Sequence, residues 1–166
     1  MNNTQNHEAH VRAAVEADQD AITTIVRDAH IFPFGLKWDR FVLAVDNEQI
    51  VGTGQIKPHG DGSLELASIA VIPSRQSQGI GSLVVNALIA QHGQRTTNTD
   101  LYLMCRSVHE SYYNRFGFQR IERLAMPRYF RRVTMVGAVV FAFRRLLRPD
   151  DKSHLIVMRR DSHQAP

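Results

Sequence analysis

The sequence predicts an α/β fold whose central sheet is antiparallel at its start and mixed at its centre. Short β-rich runs alternate along the chain with segments whose apolar residues recur at helical spacing. In the middle, the nearly all-apolar run Leu64–Ile72 leads through a glycine-containing loop into an apolar helical segment. Helices inserted between strands in this order are typical of a sheet with helices on its faces.

In the first half of the chain, the sequence predicts one helix and three strands before the central strand Leu64–Ile72. His10–Val15 has the pattern of a first strand. Asp18 can cap a helix, because the apolar residues after it recur every three or four positions and form one stripe. Two β-rich runs, Phe41–Val45 and Gln49–Ile56, are joined by Asp46-Asn47-Glu48 and predict a hairpin.

The second half continues the alternation of strands and helices. Pro73 ends the central strand, and Gly117 is expected to stop a short helix. The remaining predicted elements are a helix over Leu83–Ala90, a strand over Leu101–Cys105, a helix over Val108–Phe116, and strands over Phe118–Ile121 and His154–Met158.

Length and composition favour one domain in a reducing compartment. The 166 residues suit a single domain over 10–160, with a flexible tail at 1–9, a second tail at 161–166 and a helical insertion near 126–149. Cys105 is the one cysteine, so neither an internal disulfide nor a multi-cysteine zinc site is expected. We expect no metal, no transmembrane segment and no secretory signal, and hence a cytoplasmic protein.

Charge is unevenly distributed along the chain. Residues 1–114 hold 8 Lys/Arg and 12 Asp/Glu, whereas residues 115–166 hold 12 and 4. A basic C-terminal third can attract phosphates, nucleic acid or anionic lipid. We interpret the excess as a solvated face that also favours an anionic ligand, and we expect no nucleic acid partner.

The loop after the central strand has the features of a phosphate-binding loop. A helix N-terminus offers unpaired N–H groups and a partial positive charge, and residues without a Cβ let a pyrophosphate approach the backbone. Gly79 and Gly81 stand where this arrangement requires them. The loop has neither the Gly-Lys-Ser/Thr ending of a P-loop nor the three glycines of a dinucleotide fingerprint.

This loop resembles the Gln/Arg-x-x-Gly-x-Gly/Ala signature of the GNAT superfamily of N-acetyltransferases. Here it reads Gln76-x-x-Gly79-x-Gly81, and a second family-like segment, Tyr112–Phe118, follows about 30 residues later. The resemblance implies a GNAT fold, with antiparallel N-terminal strands and splayed central strands in a mixed sheet flanked by helices. It also implies acetyl-CoA as the acetyl donor and an amine-bearing acceptor.

The resemblance further implies which residues contact the cofactor. Backbone N–H groups of the loop would hold the CoA pyrophosphate, and free backbone groups of the preceding strand would pair with the pantetheine arm. The corresponding positions are Gln76, Ser77, Gln78, Gly79, Ile80, Gly81 and Ser82 in the loop, and Ile69, Ala70 and Val71 in the strand.

Two residues are candidates for proton transfer. Glu65 lies 14 residues before Gly79, the spacing of the general base in histone-acetylating GNAT members. Tyr113 stands four residues before Gly117, where the family often places the tyrosine that faces the cofactor sulfur. The resemblance thus implies Glu65 as base and Tyr113 as acid. Arg106 and Ser107 stand where many relatives carry an asparagine, which is a departure from the pattern.

Two other functions fit the sequence in part. A catalytically silent acyl-CoA-sensing module would keep the fold without turnover, and a basic nucleic-acid-binding protein would use the C-terminal charge. The segment 126–148 is apolar at its middle and rich in arginine at both ends. It could cover the acceptor cleft, pack in a homodimer interface or lie on a membrane surface, and we favour the cleft or the dimer.

Overall fold

A computed structural model of the chain describes residues 9–95, 99–136 and 154–162. The chain divides into two compact units, a first unit of residues 1–57 and 67–94 and a second unit of residues 58–66 and 95–166. The two expected tails lie largely outside the described residues, as does the part of the expected insertion that follows residue 136.

Strands and helices alternate much as the sequence predicts. The strands are β1 His10–Ala13, β2 Phe41–Asp46, β3 Gln49–Pro58, β4 Leu64–Val71, β5 Leu101–Arg106, β6 Gln119–Arg120 and β7 Leu155–Arg160. The helices with defined ends are α1 Gln19–Asp28, α2 Ile80–Arg95 and α3 Glu110–Asn114. Residues 128–136 are also helical.

Within the described residues the strands form a seven-stranded mixed sheet in the order β1-β2-β3-β4-β5-β7-β6. The β1–β2 and β2–β3 pairs are antiparallel. The β4–β5 pair is parallel. The β5–β7 and β6–β7 pairs are again antiparallel. An antiparallel start and a mixed centre are therefore confirmed.

The core of the first unit has α1 against β2. Ile22 and Val26 of α1 are fully buried with Phe41, Leu43 and Val45 of β2, at alternate positions on one face of the strand. Each buried aliphatic or aromatic side chain of this kind contributes about 1.5–3 kcal/mol by leaving water. The predicted apolar stripe of α1 therefore does face the core.

Helix α2 approaches β3 at two glycines of the first unit. A Cβ added at Gly54 would lie 2.6 Å from Ile69 Cδ1, 2.7 Å from Val84 Cγ1 and 2.8 Å from Leu88 Cδ1. A Cβ at Gly52 would lie 2.9 Å from a methyl group of Ile80. The absence of side chains on this face of β3 lets α2 and its first residue pack directly on the strand.

Some predicted boundaries are wrong for physical reasons. Helix α2 extends at both ends beyond Leu83–Ala90, because Ile80 and His92 are buried as well. Asp18 precedes α1, but its carboxylate makes no cap hydrogen bond and instead accepts hydrogen bonds from Arg12 at 2.7 Å and 2.9 Å and from Val15 N–H at 2.8 Å. The predicted helix Val108–Phe116 begins as a 3₁₀ turn, Ser107–His109, and becomes α3.

Candidate functional site

The loop before α2 combines two left-handed residues with a free helix N-terminus. Ser77 has a φ of 61° and Gly79 a φ of 82°. The first hydrogen bond of α2 runs from Leu83 N–H to Gly79 C=O at 3.0 Å. The N–H groups of Ile80, Gly81 and Ser82 therefore have no acceptor within the helix. Such donors, at the positive end of a 16-residue helix, suit an anion.

The surroundings of this loop are open. Gln76, Ser77, Gln78 and Gly79 are exposed, and a Cβ added at Gly79 would find no atom within 4 Å. Two side chains fold back to brace the loop backbone. Gln76 Nε2 donates to Val71 C=O at 3.1 Å and Gln78 Nε2 donates to Ser74 C=O at 3.2 Å. The loop is thus held by hydrogen bonds of its own side chains, and its residues 76–79 are exposed ahead of α2.

An ion pair between a buried carboxylate and a half-buried guanidinium anchors the start of the loop in the first unit. The Arg75 guanidinium bonds the carboxylate of Asp46, whose side chain is only 4% exposed, at the end of β2. Arg75 Nε is also buried and has no hydrogen-bond partner. Sequence reasoning missed this pair, because Asp46 looked like an ordinary turn residue of the hairpin.

Strand β4 is interrupted in its first-unit part by Ser68. Ser68 has a φ of 55°, a left-handed conformation that breaks the side-chain alternation of the strand as a β-bulge does. The carbonyl of Ser68 accepts a hydrogen bond from Thr53 Oγ1 at 3.2 Å, and its hydroxyl accepts one from Gln55 Nε2 at 3.0 Å. Ile69, Ala70 and Val71 follow directly, so the interruption precedes the backbone expected to face pantetheine.

Glu65 is buried in the second unit and bonded to a histidine. Its side chain is 9% exposed, and its Oε2 lies 2.8 Å from Nε2 of His59, whose side chain is 4% exposed. The His59 ring stacks on the Tyr129 ring, with centroids 3.4 Å apart and planes at 14°. Glu65 is thus a held carboxylate and not the solvent-facing end of a strand.

Tyr113 lies on α3 of the second unit among aromatic rings. Its ring centroid is 5.0 Å from that of Tyr112 and 6.3 Å from that of Phe118. Burial raises the pKa of the Tyr113 hydroxyl, and the neighbouring Cys105 and Tyr112 raise it further. The phenol therefore keeps its proton at neutral pH.

Cys105, at the end of β5, is unsuited to act as a nucleophile. Burial raises the pKa of its thiol to about 11, and the charge of Glu110 adds to the effect. A thiol with so high a pKa is almost entirely protonated at neutral pH, and the thiolate is the reactive form. The raised thiol pKa therefore argues against a covalent intermediate on Cys105.

Comparison with known proteins identifies the family. A protein-family model described as an acetyltransferase (GNAT) domain matches residues 37–120, half of the chain. The chain belongs to the GNAT acetyltransferase family. This match spans the loop, Glu65 and the Tyr112–Phe118 segment, and GNAT enzymes use acetyl-CoA as acetyl donor.

Solved structures share the GNAT fold at low identity. One is N-acetylglutamate synthase from Neisseria gonorrhoeae complexed with coenzyme A and N-acetyl-glutamate, with a TM-score of 0.67, 18% identity and 96% of this chain covered. The chain spans only 36% of that protein. Another is the ribosomal-protein-S18-alanine N-acetyltransferase from Escherichia coli, with a TM-score of 0.64, 20% identity, and 96% and 97% of the two chains covered. A search of curated proteins found no match.

The residues predicted for the GNAT site fall in both units. The loop Gln76–Ser82 and the strand residues Ile69–Val71 belong to the first unit, whereas Glu65 and Tyr113 belong to the second. Three residues around Glu65, namely His59, Asp61 and Tyr129, were not identified from the sequence. The sequence does predict the turn Gly60-Asp61-Gly62. No local pattern, however, links Asp61 of this turn to Tyr129, which follows 68 positions later.

Two searches of the described residues concern other kinds of site. No group of three or more His, Cys, Asp or Glu side chains in 9–95, 99–136 and 154–162 has the arrangement of a metal site. No helix among the same residues combines the length and the apolar composition needed to cross a membrane.

Proposed function

We propose that the chain is an N-acetyltransferase that moves the acetyl group of acetyl-CoA directly to an amine of a small molecule or a protein. The observation that carries the proposal is the start of α2. There, three backbone N–H groups without helical acceptors adjoin a left-handed Gly79 whose missing Cβ leaves open space. A pyrophosphate needs this combination of donors and close backbone approach.

The residues present fit CoA. The N–H groups from Gln78 to Ser82 would hold the pyrophosphate, with Gln76 and Ser77 shaping the entry to the loop. The backbone of Ile69–Val71, after the interruption at Ser68, would pair with the pantetheine arm as an added strand does. Bound acetyl-CoA supplies an activated thioester, and the remaining chemistry is proton transfer by side chains of the chain.

Tyr113 is the proposed acid. The leaving thiolate needs a proton, and the raised pKa of Tyr113 keeps its hydroxyl protonated when the enzyme works near neutral pH. The rings of Tyr112 and Phe118 fix the phenol laterally, so that its direction is set before the substrate arrives.

Glu65 is the proposed base. An amine with a pKa near 10 is mostly protonated at neutral pH, and it must lose a proton to attack the thioester. One oxygen of the Glu65 carboxylate is engaged by His59 at 2.8 Å. The other, Oε1, is the oxygen left to accept that proton, directly or through a water.

The deciding experiment measures acetyl-CoA-dependent thiol release. The panel contains polyamines, aminoglycosides, amino acids, lysine peptides and peptides with free N-termini, and CoA affinity is measured by calorimetry in parallel. We expect CoA binding, and turnover with at least one amine that Glu65→Gln lowers about 10²- to 10⁴-fold. Glu122→Gln is the matched control, because Glu122 is an exposed carboxylate of the same unit.

Two results would contradict the proposal in different ways. CoA binding without thiol release on any amine would indicate the acyl-CoA-sensing module. Absence of CoA binding, together with salt-sensitive binding of DNA or RNA, would indicate the nucleic-acid-binding protein.

A further inference from the structure

We infer that His59 is a positioning residue for Glu65: its Nε2–H donates to Glu65 Oε2 and holds the carboxylate so that Oε1 faces the acceptor amine. This inference rests on the proposed function. It concerns a residue that neither the cofactor loop nor the family-like segments include.

The first argument is burial. The side chains of His59 and Glu65 are 4% and 9% exposed. A polar pair so deeply placed is stable only when its members satisfy one another, because water cannot replace a lost partner. The 2.8 Å contact between them therefore fixes both side chains more firmly than a contact of the same length would fix an exposed pair.

The second argument is the enclosure of the imidazole. Tyr129 stacks on one face at 3.4 Å between centroids. Phe130 meets the ring edge-on at 5.7 Å. Since the hydrogen bond to Glu65 occupies a third side, the ring has little freedom to rotate. A donor that cannot rotate restricts the carboxylate it binds to one orientation.

The third argument is that the backbone around His59 is also fixed. His59 N–H donates to Ser63 C=O at 2.9 Å, closing the β3–β4 turn. Asp61, inside that turn, accepts a hydrogen bond from Tyr129 N–H at 2.7 Å. The turn that carries His59 is thus tied to the helical segment that carries the stacking Tyr129.

Other titratable groups lie around the His59–Glu65 pair, and the two tyrosines among them stay protonated near neutral pH. Tyr129 and Asp61 face this pair from the helical segment and the turn, and Tyr102 of β5 is the register partner of Glu65. Burial raises the pKa of Tyr129, and the charges of Glu65 and Asp61 raise it further. Burial also raises the pKa of Tyr102, with Asp100 contributing. Neither phenol loses its proton near neutral pH, so neither phenolate competes with Glu65 for the proton of the amine.

The test compares two replacements of His59 that separate the ring from the donor. His59→Phe keeps an aromatic face for Tyr129 and removes the donor, whereas His59→Gln keeps an N–H donor at similar reach and removes the ring. We expect His59→Phe to lower kcat about 10- to 100-fold, as loss of a hydrogen bond to a charged group does. We expect His59→Gln to recover part of this loss, because its N–H donor can reach Oε2 although the stacked ring is gone.

Two further readouts, CoA affinity and a double variant, separate positioning from a structural role. CoA affinity should be unchanged in His59→Phe when it is measured below the thermal midpoint, and that midpoint should fall because the buried Glu65 carboxylate loses its partner. The double variant His59→Phe/Glu65→Gln should be no slower than Glu65→Gln alone, because His59 acts through Glu65.

Each contrary outcome has a definite meaning. If Glu65→Gln were inactive while His59→Phe kept wild-type turnover, the inference would be wrong and the proposed function would stand. Additive losses in the double variant would also overturn it. Should wild type acetylate no amine, the proposed function fails, and the inference is decided by proton NMR. A slowly exchanging His59 ring N–H that shifts in Glu65→Gln would support the hydrogen bond, and its absence would overturn it.

Discussion

Asp61 and Tyr129 are joined by a hydrogen bond of 2.7 Å between the carboxylate of the first and the backbone N–H of the second. The donor belongs to the first turn of the 128–136 helix, where N–H groups have no helical acceptor. Asp61 therefore caps a helix from a distant turn. The same turn carries His59, so the cap and the stack of His59 on Tyr129 support one another.

Acid should weaken this cap. Burial alone would raise the pKa of Asp61, but hydrogen bonds from the Ser63 hydroxyl and from the N–H groups of Tyr129 and Ser63 lower it from 3.8 to about 2. A lowered carboxylate pKa gives stability that is complete above the unfolded value and is lost as pH falls through the folded one. We expect Asp61→Asn to lose less stability than wild type between about pH 4 and pH 2. Urea unfolding at several pH values checks this, and parallel curves for both proteins would contradict it.

Replacement of Gly79 should remove CoA binding without unfolding the chain. Gly79→Val puts a branched side chain at a φ of 82° and into the space where the pyrophosphate is expected. We expect CoA affinity to fall at least about tenfold, which corresponds to 1.4 kcal/mol. Gly62→Val is the matched control, because Gly62 has a φ of 85° and equally open surroundings. Calorimetric titration with CoA measures both, and equal affinities would contradict the assignment of the loop.

The hydroxyl of Tyr113 should matter for turnover and not for CoA binding. Tyr113→Phe removes the proposed proton donor and keeps the ring packing against Tyr112 and Phe118. We expect kcat to fall about 10²- to 10⁴-fold at unchanged CoA affinity. Tyr112→Phe is the control, and its ring lies under the Arg115 guanidinium at 4.8 Å. If kcat fell only in Tyr112→Phe, Tyr112 and not Tyr113 would be the proton donor.

A side chain at Gly54 should destabilise the first unit. Its Cβ would meet side-chain atoms of Ile69, Val84 and Leu88 at 2.6–2.8 Å, and three neighbours cannot all move away at once. We expect Gly54→Ala to lower the free energy of unfolding by about 1–3 kcal/mol. Gly60→Ala is the control, because its Cβ would find nothing within 4 Å. Denaturant unfolding compares them, and equal midpoints would show that α2 does not pack so closely on β3.

The Asp46–Arg75 pair should behave as a coupled unit. Arg75→Met leaves the buried Asp46 carboxylate without its partner, and Asp46→Asn does the converse. We expect each single variant to lose about 1–3 kcal/mol. The double variant should lose less than the two combined, since it leaves no unpaired charge. Fully additive losses in a double-mutant cycle would mean that the two groups do not interact.

Local patterns in the sequence determine the type and order of most elements. The apolar stripe of α1 and the strand–loop–helix sequence around Gly79 were both readable, because periodicity and glycine placement act over a few residues. The position of Tyr113 followed from a short segment in the same way. The ends of the helices were predicted less well. Helix α2, for example, includes the buried residues Ile80 and His92, which lie outside the predicted span Leu83–Ala90.

Tertiary structure alone decides the partners of the polar residues. Glu65 was placed on a strand by its neighbours in sequence, but its bond to His59 depends on the closure of the β3–β4 turn. Asp18 looked like a helix cap, yet Arg12 and the Val15 N–H bind it instead. A polar side chain accepts whichever donor the fold brings within about 3 Å, and sequence spacing does not limit that choice.

The sequence by itself therefore determined the fold class, the family-like loop and the identities of the two candidate proton-transfer residues. The structure added the environment of Glu65: a buried histidine, the Tyr129 ring stacked on it, and a hydrogen bond from the Tyr129 N–H to Asp61, which lies in the turn 68 positions earlier. The physical reason is that hydrophobic periodicity is a local property of the chain. Hydrogen bonds and ring stacks between distant residues exist only after the chain has closed.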